Sequence, residues 1–212
     1  MLEAAPDLLV LGGGIIGLSI AERAARRGLA VTLLDRERPG ARASWAGAGM
    51  LTCRPWPKPP EGEPDYHNLV QESIKLHEAD AARLIEETGI DPGFVRCGSL
   101  ELLYPERDTL DAKENMVRLL AGCAARGVRA SRITPKEAQD LEPSLSNNGM
   151  VGALHFPDDG QVRNPRLLRA LVASCKQHGV RIREGAEAAD VWIEAGQARG
   201  AVLKDGAKAA AS

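Results

Sequence analysis

The hydrophobic pattern changes period three times in the first 35 residues. Leu8-Leu9-Val10-Leu11 is an unbroken apolar run that stops at glycine. Apolar residues then recur at helical intervals, Ile16, Ile20 and Ala24, with Arg23, Arg26 and Arg27 outside that stripe, and Ala30 to Leu34 is a second short apolar run that ends at Asp35. A short run, a helical stripe and another short run predict strand, tight turn, helix and strand.

The rest of the chain breaks that rhythm and later resumes it. Arg54 to Pro64 holds five prolines and no apolar period, which predicts a stiff extended loop. Asp65 then caps a helix from Tyr66 to about Thr88, with Leu69, Val70, Ile74, His77, Ala81, Leu84 and Ile85 on one face and Gly89 as its stop. Gly98 to Tyr104 reads as a strand, Asp108 to Arg126 as an amphipathic helix, and Val128 to Ile133 as strand-like. Thr134-Pro135-Lys136-Glu137 is a capping box with proline at the first helical position. Val151 to Phe156 is another strand. Asn164 caps a helix from Arg166 to about His178, and Val180 to Arg183 returns as a strand of the parallel sheet. Val191 to Glu194 and Gly200 to Lys204 form a hairpin pair.

The turn between the first strand and helix carries the candidate chemistry. Gly12, Gly14 and Gly17 have the G-x-G-x-x-G spacing, in which the first glycine permits a sharp turn, the second admits a pyrophosphate and the third lets helix and strand pack closely. Amides at the helix start, including those of Ile15 and Ile16, face the anion, although both side chains also suit a helix core. Asp35, 18 residues past Gly17, is placed to accept from a ribose diol, with Arg36 beside it. A second run, Arg42 to Leu51, packs tiny side chains around Trp45 and lets the backbone lie against a flat ligand. Asp158 and Asp159 read as solvated turn acids rather than an acid and base pair. His67 and His77 are assigned no chemistry.

Bulk properties narrow the classes. The 212 residues suit one large or two small domains, and 44% hydrophobic with 26% charged residues is a globular composition. A net charge of -2 and 3% aromatics provide neither the basic face nor the stacking platform of a nucleic-acid binder. Cys53, Cys97, Cys123 and Cys175 show no C-x-x-C pairing, so reduced cysteines in a cytoplasmic protein are expected, with no metal site. The N-terminal apolar run is too short for a membrane anchor.

Gly12 to Gly17, Asp35, Ser44 to Leu51, Cys97-Gly98-Ser99-Leu100-Glu101, Pro157 to Val162 and Asn164-Pro165 together resemble the first half of the D-amino-acid oxidase and glycine oxidase family of flavoproteins, nearest its glycine oxidase branch of thiamine biosynthesis. The resemblance implies an α/β fold: a Rossmann-like FAD-binding domain, first at 1–90 and again at 151–212, with an inserted α+β portion of a substrate domain at 91–150. It implies FAD as cofactor, a small amino acid as substrate, and a homo-oligomer at full length. It assigns Ala43, Ser44, Ala48, Gly49 and Met50 to the pyrophosphate, ribityl and isoalloxazine path, and the backbone of Ala188 to the adenine. Family members carry an arginine and a tyrosine for the substrate in their second half, and the resemblance stops near the family's midpoint at Asp205-Gly206. No catalytic residue is therefore assigned. Two other readings stand beside it: a non-catalytic nucleotide-binding remnant, and an NAD-dependent dehydrogenase, which the Ser44 to Leu51 run disfavours.

Overall fold

A computed structural model describes residues 5–52, 54, 67–105, 110–146 and 148–211, without the side chains of 67 and 110–113. The proline-rich stretch after Arg54, the Asp65 cap, Cys53, the His67 side chain and the helix start expected at Asp108 lie outside the described residues. The chain forms two compact units: Met1–Gly49, Asp80–Gly93 and Arg163–Ser212 in the first, Met50–Ala79 and Phe94–Val162 in the second.

In the first unit β1 (Leu8–Leu11), α1 (Ile15–Arg26) and β2 (Val31–Leu34) make the expected βαβ unit. The strands are parallel, with Leu8 opposite Val31 and Leu11 opposite Leu34. After α6 (Asn164–Gln177) the chain returns as β8 (Arg181–Arg183), parallel to β2, giving the order β1-β2-β8. All four residues of β2 are buried, as a central parallel strand requires.

The buried face of α1 differs from the one its apolar spacing suggests. Leu18, Ala21, Glu22 and Ala24 are buried, whereas Ile16 is 74% and Ile20 49% exposed. Small residues on the inner face let α1 approach both the sheet and α6, and the larger isoleucines turn outward. Glu22 belongs to that inner face because it has partners. Arg83 Nη1 lies 2.9 Å from Glu22 Oε1 and 2.7 Å from Glu87 Oε2, and Ser174 Oγ lies 3.2 Å and 3.1 Å from the same two oxygens. Arg83 and Glu87 come from the C-terminal part of α3 (His67–Thr88) and Ser174 from α6, so this polar cluster ties three helices together. His178 joins them, its Nε2 lying 3.6 Å from Glu87 Oε2. Glu22, Glu87 and His178 could in principle hold a cation, but positive charge is already supplied there by Arg83 and by Arg26, 3.7 Å from both carboxylates. Their neighbour Cys175 donates its thiol to Leu18 O at 3.6 Å, and burial pushes that thiol up to about 12.

The end of the chain is regular. β9 (Ala188–Glu194), β10 (Gln197–Leu203) and β11 (Lys208–Ala210) form an antiparallel sheet. Ala195 and Gly196 both have positive φ, the geometry of a tight hairpin turn. Gly200 is needed for the next pairing: a Cβ there would lie 1.9 Å from Ala209 O. The alanine-rich stretch near the end of the chain, Lys208–Ala210, forms a strand. Asn164 is the first helical residue rather than the cap of α6, since Arg163 occupies the cap position and makes no side-chain cap bond.

The second unit is built on β4 (Ser99–Leu103), β6 (Gly152–Phe156) and β5 (Ser131–Ile133), antiparallel in the order β4-β6-β5. Beside them β3 (Met50–Leu51) pairs with β7 (Gly160–Gln161). The expected division placed residues 151–162 with the nucleotide half, but β6 hydrogen-bonds to β4 and β5 instead. Ile74 of α3 and Cys123 of α4 (Leu110–Ala125) pack with Val128, Leu154 and Phe156. The helix faces are narrower than their apolar residues suggest: Leu69, Ile85 and Val117 are exposed. At α5 (Pro135–Leu141) the capping box is complete, Thr134 N–H donating to Glu137 at 2.7 Å and Glu137 N–H to Thr134 Oγ1 at 3.2 Å.

Asp159 departs most from the sequence reading. It is 2% exposed, not solvated, and its Oδ2 accepts from Ser99 Oγ at 2.6 Å, with Arg54 Nε at 3.4 Å. Arg54 also reaches Glu101 at 2.9 Å and lies 4.0 Å over the Phe156 ring. Adjacent Asp158 pairs with Arg129, which holds its carboxyl below the usual range through that hydrogen bond. The turn thus sends one acid into the unit and the other to its surface.

Removing Arg83 leaves buried Glu22 with only the more distant Arg26, 3.7 Å away, so Arg83→Met should cost about 3–5 kcal/mol in urea unfolding. Glu22→Ala should cost less, because Arg83 keeps Glu87 and Asp80 as counter-ions. Glu87 is pushed up by burial but, on balance, held below the ordinary carboxylate range by Arg83, the Ser174 hydroxyl and Arg26. Its depressed folded value means its contribution is present above the ordinary range and is lost as pH falls through the folded value. The urea midpoint should therefore fall on acidification, and Glu87→Gln should flatten that acid limb. In a Cys53→Ser background, a thiol reagent at mildly alkaline pH should label exposed Cys97 fast and Cys175 only on unfolding.

Candidate functional site

The glycine turn is fixed by steric exclusion first. Gly12 has φ +98°, and its carbonyl oxygen lies 1.9 Å from where a Cβ on Gly17 would stand. No residue with a side chain fits at 17 without parting α1 from β1. The intervening Gly13 is also confined, though less severely: its Cβ would lie 2.8 Å from Pro39 Cβ and 3.1 Å from Asp35 Oδ2. That requirement is absent from the G-x-G-x-x-G pattern and becomes visible only when the loop after β2 is folded against it.

Three hydrogen bonds hold the turn from outside. Gly13 N–H donates to Asp35 Oδ2 at 2.6 Å, Gly40 N–H donates to Gly13 O at 2.8 Å, and Ile15 N–H donates to Ser44 Oγ at 3.0 Å. Asp35 Oδ1 also accepts from Glu37 N–H at 2.8 Å, so this carboxylate organises two loops besides standing where a ribose would come. Each oxygen keeps a further lone pair for a diol. The short Asp35 side chain suits that double task, because it reaches the Gly13 amide directly. Exposed Arg36 follows it. Glu37 and Arg42 close the loop with a bidentate ion pair, and the Arg42 hydrogen bond lowers the Glu37 carboxyl.

The start of α1 suits an anion. Its N-cap, Gly14, makes no side-chain cap bond, and the first turn holds no acid; the amides and the positive end of the helix dipole thus meet no negative side chain of their own helix. Ser44 supplies the nearest hydroxyl. Having accepted from Ile15 N–H, it retains its own proton for donation to a ligand oxygen.

The second glycine run is less of a loop than its composition suggests. Ala43 to Ala46 form a single helical turn, α2, packed against α6. Gly47 is pressed by α6, with Asn164 Nδ2 2.5 Å from its would-be Cβ. Ala43 and Ala48 are exposed, and Gly49 turns the chain with φ +74°. Met50 lies in the second unit, paired with Gln161 and 74% exposed. Trp45 lies over α6 and lines a cleft there.

Ala188 opens β9 opposite Leu203. The link from that region to the turn is made two residues earlier: Ala186 N–H donates to Asp35 O at 2.8 Å, and Asp35 N–H to Arg183 O at 3.0 Å. Gly12, Gly13, Gly14, Ile15, Gly17, Asp35 and Ser44 are thus brought together, while Ala188 approaches through its neighbour. Sequence reasoning missed Gly13, Pro39 and Gly40. The adjacent Pro-Gly pair was their only signal.

With this geometry in place, the comparisons with known proteins are specific. The family model for FAD dependent oxidoreductases, DAO, matches residues 7–211. A glycine oxidase of Geobacillus kaustophilus is 31% identical over 185 residues, covering 87% of this chain and 47% of that protein. The mitochondrial pyruvate dehydrogenase phosphatase regulatory subunit of Mus musculus is 29% identical over 200 residues, covering 94% of this chain and 21% of that protein. The crystal structure of glycine oxidase from Bacillus cereus superposes with a TM-score of 0.82 at 28% identity, covering 96% of this chain and 53% of that one. The chain spans about half the length of these glycine oxidases, or less in the case of the mouse protein. From its matched family model, over residues 7–211, the chain belongs to the DAO family of FAD-dependent oxidoreductases.

Proposed function

We propose that the chain carries the FAD-binding part of a glycine oxidase-like amine oxidoreductase acting on glycine or a small D-amino or N-methyl amino acid. One observation carries the reading. The Ser44 hydroxyl, from the second glycine run, meets the Ile15 amide of the first at the uncapped start of α1. Two stretches 29 residues apart thereby converge on one place where a diphosphate would receive main-chain amides and a hydroxyl.

The chain's own residues bind and orient. Gly14 and Ile16 offer amides to the pyrophosphate, the Ile15 amide holds the Ser44 hydroxyl beside them, and Gly17 keeps the helix close enough to present them. Asp35, with Arg36 nearby, receives the adenosine ribose, and Ala188 lies towards the adenine. Ala43, Ala48, Gly49 and Met50 follow the ribityl and isoalloxazine path. Bound FAD would accept a hydride from the substrate α-carbon and return to its oxidised form by passing electrons to oxygen. The substrate's carboxylate anchors belong to the part of the family fold that this chain does not span, so no residue here is given a catalytic role. The partner is a small amino acid, the setting cytoplasmic, and the full-length protein a homo-oligomer. Among the described residues no helix is long and apolar enough to cross a membrane.

A second reading, a flavin-binding protein without turnover, is favoured by the likeness to a relative that is named as a phosphatase regulatory subunit. The purified chain should turn yellow with FAD, and a colourless chain would refute both readings. Bleaching by glycine, sarcosine or D-alanine without oxygen supports the oxidase, whereas flavin that stays oxidised with all three supports the second reading. Ser44→Ala should weaken FAD by about tenfold, the loss of one hydrogen bond to a charged group. Gly17→Ala should cost about 1–3 kcal/mol in folding as well, and titration by flavin fluorescence separates the two effects.

A further inference from the structure

We propose that the cleft between α6 and the Pro39–Gly40 turn is a second ligand site of the first unit, built for a planar aromatic carboxylate. The cleft has a volume of about 460 Å³, within the ordinary range of small-molecule sites. Its floor is apolar and closely packed: Pro39, Gly40 and Leu168 are buried, and the would-be Cβ of Gly40 lies 3.2 Å from Leu168. Trp45 forms one wall and leaves 48% of its surface open.

The rim is charged, mostly with one sign. Arg38, Arg169 and Lys176 stand around the opening against a single acid, Glu184, and none of the three cations appears in an ion pair among the described residues. An indole face beside an apolar floor selects a flat ring. Guanidinium and ammonium groups at the rim select an anion, and a guanidinium fork matches a carboxylate.

The Pro39–Gly40 turn touches both places: Gly40 N–H donates to Gly13 O at 2.8 Å, and a Cβ on Gly40 would lie 3.2 Å from Leu168 in the cleft. The second site does not depend on the dinucleotide reading above. Occupants of the two places should bind together.

Calorimetric titration of the 212-residue chain with 2-naphthoate tests this, with saturating ADP present to fill the glycine turn. One saturable site that persists with ADP is expected. Neutral 2-naphthamide and the Arg169→Ala/Lys176→Ala double variant should each weaken binding by about tenfold, and Trp45→Leu should weaken it as well. Both cations are exposed, so circular dichroism of the double variant should match the parent. Absence of naphthoate binding, its displacement by ADP, or an affinity unchanged in the double variant would each overturn the proposal. A failure of FAD to bind leaves these outcomes untouched, so the two readings fail separately.

Discussion

The first unit depends on the close approach of Gly12 to Gly17. The carbonyl of the first occupies the space that any side chain on the second would need. That contact lets α1 lie flat on β1 and β2, and it aims the first amides of the helix outward at one point. Every other feature of the site serves to hold this crossing in place. Asp35 grips the Gly13 amide, Gly40 grips the Gly13 carbonyl, and Ser44 meets the Ile15 amide.

Such a crossing would be of little use if α1 could rock on the sheet. The buried Glu22 limits that freedom. A lone carboxylate inside the unit would destabilise it by several kcal/mol, and Arg83, Arg26 and the Ser174 hydroxyl offset that cost. The arrangement obliges α3 and α6 to meet α1 in one register. The same logic recurs in the second unit, where buried Asp159 is met by Ser99 and Arg54. Both units thus use a buried acid to fix where separate elements of the chain meet.

The two glycine runs differ in what their small residues do. In the first, small size is a steric necessity, because backbone must touch backbone. In the second, the residues fold into a single helical turn that lies on α6, and the one large side chain, Trp45, is turned onto that helix. A stretch that reads as one continuous cradle for a flat ligand therefore contributes Ser44 to one place and Trp45 to another.

The chain's own pattern determined the βαβ unit, the G-x-G-x-x-G turn, the terminal acid of β2, the capping box at Thr134 and the α/β class of the fold. These are local: each depends on side-chain period, turn chemistry or φ preference within a few residues. Only tertiary structure decided that Ile16 and Ile20 face outward, that Glu22 and Asp159 are buried, that Gly13 is confined by Pro39, and that β6 pairs with β4 and β5. Each of those outcomes depends on which distant residue arrives opposite, Arg83 for Glu22, Arg54 for Asp159 and Pro39 for Gly13. Partners 61, 105 and 26 residues away, by subtraction of their positions, leave no mark in the local period.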